Sequence, residues 1–248
     1  MNPADALVDE NRRLGELLAT ADPETPVATC PGWVLRQLLT HVGRGDRWAA
    51  TIVRERAEER VDIRTVPDGK PPADDPVGWL ADSARLLVDA VAATGPDVPV
   101  WTFTGPKPAA WWIRRRLHES TVHRADAALA LGVPYEIEAA LAADGVSEWL
   151  DILTARPVPA DGPALPDGAT LHLHATDDGL GADGEWLVRS EDGRVAWEHG
   201  HGKGAAAVRG SAADLLQAVL RRIPADDPRL QVLGDAAAWR TWLERTPF

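Results

Sequence analysis

Glu119 and His123 stand four residues apart in a stretch whose apolar spacing predicts a helix over 109–131. Four residues turn a helix by about 400°, so both side chains leave one face and could clasp a single cation. The same spacing equally suits a local Glu–His pair worth roughly 0.2–0.5 kcal/mol. The surrounding text HESTVH invites a metalloprotease reading that geometry refuses, because His118 and His123 lie five apart, about 140° round the helix. His41 sits inside the stripe Leu38, Leu39, Val42, on or beside a face that must be buried. A buried imidazole needs partners for both nitrogens, and either a metal or an ordinary acceptor could supply one. Two histidines and a carboxylate with positions left open would suit a catalytic Zn²⁺ or another divalent ion.

Other reactive side chains read more plainly. His172 and His174 alternate on a predicted strand and share a face, but no carboxylate or cysteine is placed to complete a ligand set with them. His199 and His201 flank Gly200 in the glycine-rich run EHGHGKG, which reads as a mobile loop or a plain turn. Arg114, Arg115 and Arg116 read as a solvated helix face. Cys30, the one cysteine of the chain, precedes Pro31 at a helix entrance and reads as structural. Eleven tryptophans stand against one Tyr and two Phe. Trp33, Trp48, Trp111 and Trp112 are placed to wall a cavity around the candidate ligands, although core packing would explain them too.

These residues need elements to position them. Helical periodicity covers 3–21, then a stretch after the Cys30-Pro31-Gly32-Trp33 break that runs on toward Ile52, then 77–94, 109–131 and 136–154. Helices of this length with short connections predict an antiparallel four-helix bundle. The period changes after the Pro/Gly-rich segment 157–169, which reads as a linker. Residues 171–175, 186–189, 194–198, 205–208 and 230–233 alternate as strands do, with Asp192-Gly193 as a hairpin turn. Ser211 caps a helix through about Arg222, and a last helix starts at Ala236. The expected fold class is therefore mixed: a metal-binding helical bundle over 1–156, a linker over 157–169, and a small α+β domain over 170–248.

The bulk chemistry excludes several functions. The chain has 248 residues and a formal net charge of −12, from 26 Lys and Arg against 38 Asp and Glu. A protein that neutralises phosphates needs a basic face, so no nucleic acid is expected as a partner. No apolar run approaches the roughly 20 residues that span a bilayer, so no membrane is expected either. The opening MNPADALVDENRR carries acids and no apolar core, and a lone cysteine forms no internal disulfide, so a cytoplasmic location is expected. Arginine heavily outnumbers lysine, a bias that fits a GC-rich genome.

Thr29-Cys30-Pro31-Gly32-Trp33 followed by Leu38-Leu39-Thr40-His41-Val42 resembles the opening motif of the mycothiol-dependent maleylpyruvate isomerase family, an actinobacterial branch of the DinB/YfiT-like metal-binding bundles. Arg116-Leu117-His118-Glu119, then Val122-His123-Arg124 and Asp126, resembles the family segment that supplies a glutamate and a histidine. The resemblance covers nearly the whole chain, including a sterol-carrier-like C-terminal domain marked by Gly210-Ser211 and Val232-Leu233-Gly234-Asp235. It implies His41, Glu119 and His123 as ligands of a divalent metal, most often Zn²⁺. It also implies mycothiol as the thiol cosubstrate and a catalytic arginine, best matched by Arg222 with Arg221 beside it. The implied activity is isomerisation or S-transfer on a small electrophilic, carboxylate-bearing substrate. A non-catalytic, metal-stabilised module that binds a ligand or a partner is the alternative. Three protein ligands rather than four favour the enzyme.

Overall fold

In the computed structural model, which describes residues 2–158, 162–166 and 168–247, the helices start and stop where their capping residues dictate. Helix α1 (Pro3–Leu18) opens with Pro3 in its first turn, and the Asn2 side chain accepts from the amide of Ala4. Helix α2 (Leu35–Arg54) is entered through Val34, whose amide donates to Gln37. Helix α3 (Pro76–Thr94) is capped by Asp75, which accepts from Gly78. A two-residue hairpin, β1 (Pro99–Val100) with β2 (Lys107–Pro108), leads into α4 (Ala110–Leu131). Gly132, at φ 66°, ends α4 in the left-handed conformation that glycine adopts freely.

By their contacts the residues form two units, Met1–Tyr135 and Glu136–Phe248. In the first, α1 packs on α3 and α4, and α2 packs on α3 and α4. Leu14, Leu35, Leu38, Leu39, Val42, Trp79, Leu80 and Ala127 make one apolar cluster, so the stripe read on α2 is buried as its period requires. Helix α4 differs from its neighbours: every residue over 115–128 is buried, charged ones included. No described helix is long and apolar enough to cross a membrane.

The second unit begins with α5 (Ala139–Ala155), which packs on α6 (Ala212–Val219) and on the sheet through β5 (Arg194–His199). The sequence reading instead gave this helix to the first domain and put the boundary at 157–169, of which 159–161 and 167 lie outside the described residues. The sheet also contains β3 (Thr170–Ala175), β4 (Glu185–Glu191), β6 (Ala206–Gly210) and β7 (Gln231–Gly234), in the order β5-β4-β3-β6-β7. Only the β3–β6 pairing is parallel among them. Asp192 and Gly193 both have positive φ, 50° and 75°, as the tight β4–β5 turn requires. Ser211 caps α6 as expected, but the helix stops at Val219, short of Arg221 and Arg222. Helix α7 (Ala236–Arg245) closes the chain. Leu171, Leu173, Trp186 and Val188 fill one side of the sheet, where the Trp186 indole donates to Ser147 of α5 at 2.9 Å.

The register corrects one expectation. Glu185 on β4 lies directly opposite His174 on β3, so a carboxylate does complete the His172–His174 pair. Only the pairing of strands distant in sequence brings it there.

Candidate metal centre

Helices α2 and α4 bring His41 to Glu119 and His123. His41 Nε2 lies 3.3 Å from Glu119 Oε2, and His123 Nε2 lies 3.5 Å from the same oxygen. The two imidazole rings meet edge to face with centroids 4.9 Å apart. All three residues offer donor atoms within 4.8 Å of one another. Donors about 2 Å from a tetrahedral ion stand about 3.3 Å apart, so the set could hold one with little movement.

The site is supported from behind. His123 Nδ1 bonds Asp126 Oδ2 at 2.9 Å, with Asp126 fully buried. A carboxylate on Nδ1 fixes the tautomer and aims Nε2 at the centre, as metal-ligating histidines are usually held. The Arg115 guanidinium donates to Glu119 Oε1, which leaves Oε2 for the centre. Arg116 lies 3.4 Å from Oε2 and also bonds Asp46 Oδ1 at 2.8 Å and the carbonyl of Val42 at 2.9 Å. It can lie this close to α2 because residue 45 is glycine: a Cβ there would come within 2.5 Å of the guanidinium. Asn11 of α1 donates to Asp46 and accepts from Ser120, which ties a third helix into the network.

Charge follows from these contacts. Burial opposes ionisation of Glu119, but Arg115, His123, His41 and Arg116 together hold its carboxyl well below the usual carboxylate range. Burial also opposes a charge on His123, yet hydrogen bonds to Asp126, Cys30 and Glu119 prevail and raise its pKa to about 10. His41 goes the other way, its value lowered by burial against the pull of Glu119. A cation entering this centre therefore meets a carboxylate and a neutral imidazole, and displaces a proton from His123.

Several sequence expectations are revised here. Arg115 and Arg116 are not a solvated face; they are buried and paired with Glu119 and Asp46. Cys30, read from the sequence as structural, borders the centre: its thiol donates to Asp126 at 3.5 Å and lies with Asp126 beside His123. The turn of residues 27–33, closed by Val27 and Trp33 amide bonds, places it there. Trp33 faces the centre, with ring centroids 4.9 Å from His41 and 6.3 Å from His123. Trp48, Trp111 and Trp112 instead join Trp101 and Phe103 in a mutual aromatic cluster. Arg222 lies in the second unit, half-buried just beyond α6, where it donates to the carbonyl of Leu220 at 2.8 Å. Asp126 and Arg115 were missed as supporting residues, although their offsets of three and four from the ligands put them within helical reach.

Comparison with known proteins bears on both units. A family model described as the mycothiol maleylpyruvate isomerase N-terminal domain matches residues 4–128, and its companion, the MDMPI C-terminal domain, matches 140–241. Among solved structures, a histidine-to-alanine variant of the mycothiol-dependent maleylpyruvate isomerase aligns at TM-score 0.63 and 15% identity, covering 93% of this chain and 91% of that one. The unsubstituted isomerase aligns at TM-score 0.57 and 14% identity, with the same coverage. At such identities the likeness establishes the fold. The sequence matches no curated protein.

Proposed function

The chain belongs to the mycothiol maleylpyruvate isomerase family, and from that premise we propose that it is a metal-dependent enzyme using a low-molecular-weight thiol, mycothiol, on a small electrophilic carboxylate. The reaction is either cis–trans isomerisation, by thiol addition, bond rotation and elimination, or S-transfer. The observation that carries this reading is the convergence of His41 Nε2, Glu119 Oε2 and His123 Nε2 with Asp126 behind the last. His41, Glu119 and His123 would hold the ion, and Zn²⁺ suits their donor types. Bound there, a divalent cation supplies the charge that keeps a thiol ionised at neutral pH, and the thiolate is the competent nucleophile.

The protein's own residues do the rest. Asp126 keeps the His123 ring in one orientation by accepting a hydrogen bond from its Nδ1–H. Arg115 occupies one oxygen of Glu119, which limits that carboxylate to a single ligating atom. The Asp46–Arg116 pair neutralises charge beneath the site without adding a ligand. Trp33 covers the imidazoles and limits water around them. Arg222 is the residue assigned to grip a substrate carboxylate, for which a guanidinium is suited by its paired donors. The four packed helices of the first unit support its reading as a DinB-like bundle. A cytoplasmic location, where low-molecular-weight thiols stay reduced, belongs to the same proposal.

The test is turnover by the Zn²⁺-loaded full chain, with maleylpyruvate and with an alkylating electrophile, each with and without mycothiol. Isomerisation that requires the thiol supports the first reaction, and accumulation of a thiol conjugate supports the second. Turnover that is indifferent to thiol, or no turnover of either electrophile, would overturn the proposal.

A further inference from the structure

A second convergence of ligand atoms lies on the sheet of the second unit. His172 and His174 project from the same face of β3, Glu185 stands across from His174 on β4, and His201 folds back from the loop after β5. Three nitrogens meet one oxygen. His172 Nε2 lies 2.9 Å, His201 Nδ1 2.7 Å and His174 Nδ1 3.4 Å from Glu185 Oε2. The four residues offer ligand atoms within 4.8 Å of one another, and the separations to the shared oxygen bracket the roughly 3.3 Å expected around a tetrahedral ion.

Hydrogen bonding accounts for two of the three imidazoles: His172 and His201 use the two lone pairs of Glu185 Oε2. His174 stands 3.4 Å from the same oxygen without a hydrogen bond to it, a third imidazole nitrogen drawn to the same point. Ring centroids 5.0 Å apart for His172–His201 and 5.7 Å for His172–His174 keep the imidazoles face to edge, with their nitrogens aimed inward. The chain has seven histidines, and three of them are spent on this one point. The loop conformation contributes: Gly200, at φ 153°, turns the chain so that His201 can reach back over Glu185.

We propose that His172, His174, Glu185 and His201 form a second metal site, for an imidazole-preferring divalent ion of the Zn²⁺ class. Four protein ligands close a tetrahedral shell, which is the arrangement of a structural site. The ion would pin the glycine-rich loop to strands β3 and β4. Nothing in this assignment depends on the function proposed for the first unit, because the two ligand sets share no residue.

The experiment is Co²⁺ titration of the full chain, followed by its visible absorption and by equilibrium dialysis. The parent should take up two ions per chain and the His123→Ala variant one, with the intense bands of tetrahedral Co²⁺. In that background, Glu185→Gln and His201→Asn should each weaken the remaining ion at least about 100-fold, the upper range for loss of even a supporting contact. His201 is exposed, so His201→Asn leaves the fold intact if Glu185→Gln does not. His199→Asn, in the same segment but outside the ligand set, should leave binding unchanged. A His123→Ala variant that binds no Co²⁺ would overturn the site, as would His201→Asn binding as tightly as its background.

Discussion

The chain carries two clusters of histidine around a glutamate, and they are built by opposite means. In the first unit, two helices contribute three donors, and the surrounding structure holds them: Asp126 stands behind His123, Arg115 behind Glu119, and Asp46 behind Arg116, all buried. In the second unit, two strands and a loop contribute four donors that run from the buried His172 outward to His201, whose side chain is 76% exposed. Few ligands with a rigid surround suit a site that must leave room for a reactant. Many ligands with a loose surround suit an ion that does the holding itself. The difference locates rigidity in the protein at one cluster and in the ion at the other.

The largest effect that would test this contrast is on stability. Arg116→Ala leaves Asp46 buried without its cation, which should cost about 3–5 kcal/mol in denaturant unfolding of the ion-free chain. Glu185→Gln, at the other cluster, keeps an amide oxygen for the imidazoles and should cost only about 1 kcal/mol under the same conditions, the net worth of an ordinary hydrogen bond at a partly exposed carboxylate. Comparable losses from both substitutions would erase the distinction.

Affinity is the next lever. Asp126→Asn keeps the shape behind His123 but weakens its hold on the ring, and should reduce affinity at the helical centre about 10–100-fold. Binding at the sheet cluster should not change, as competition with a chelator of known affinity would show.

Proton release sharpens the comparison further. In the ion-free chain His123 titrates at about 10, so an ion entering at neutral pH displaces its proton. Raising the pH should therefore tighten binding at the helical centre by about tenfold per unit for that one proton, up to about pH 10. The same raised pKa has a consequence for folding. Its stabilising contribution to the ion-free chain is fully present below the unfolded value of about 6.5 and is lost as the pH rises toward about 10. Metal titrations and denaturant midpoints across that range check both signs.

Much of the helical centre is legible in the sequence because it depends on local period. Glu119 and His123 share a helix face by their spacing, and His41 is marked by the apolar stripe around it. The strands follow from alternation and the Asp192-Gly193 turn. What stayed hidden depends on contacts between distant elements. Arg115 and Arg116 look solvated until α4 proves to be buried all round, with Asp46 supplied from another helix. Glu185 cannot be paired with His174 until the β3–β4 register is known, since a slip of one residue would turn it to the opposite face. Helix α5 has the same periodicity as the helices before it, and only packing on α6 and the sheet assigns it to the second unit.

The most direct test of the central claim is the metal content of the purified chain beside its Glu119→Ala variant, with mycothiol titrated into the Co²⁺-substituted forms. The account predicts that the variant holds one ion fewer per chain and loses a thiol-induced change in the Co²⁺ spectrum that the parent displays. Equal metal content in the two proteins, or a parent spectrum that ignores the thiol, would contradict it.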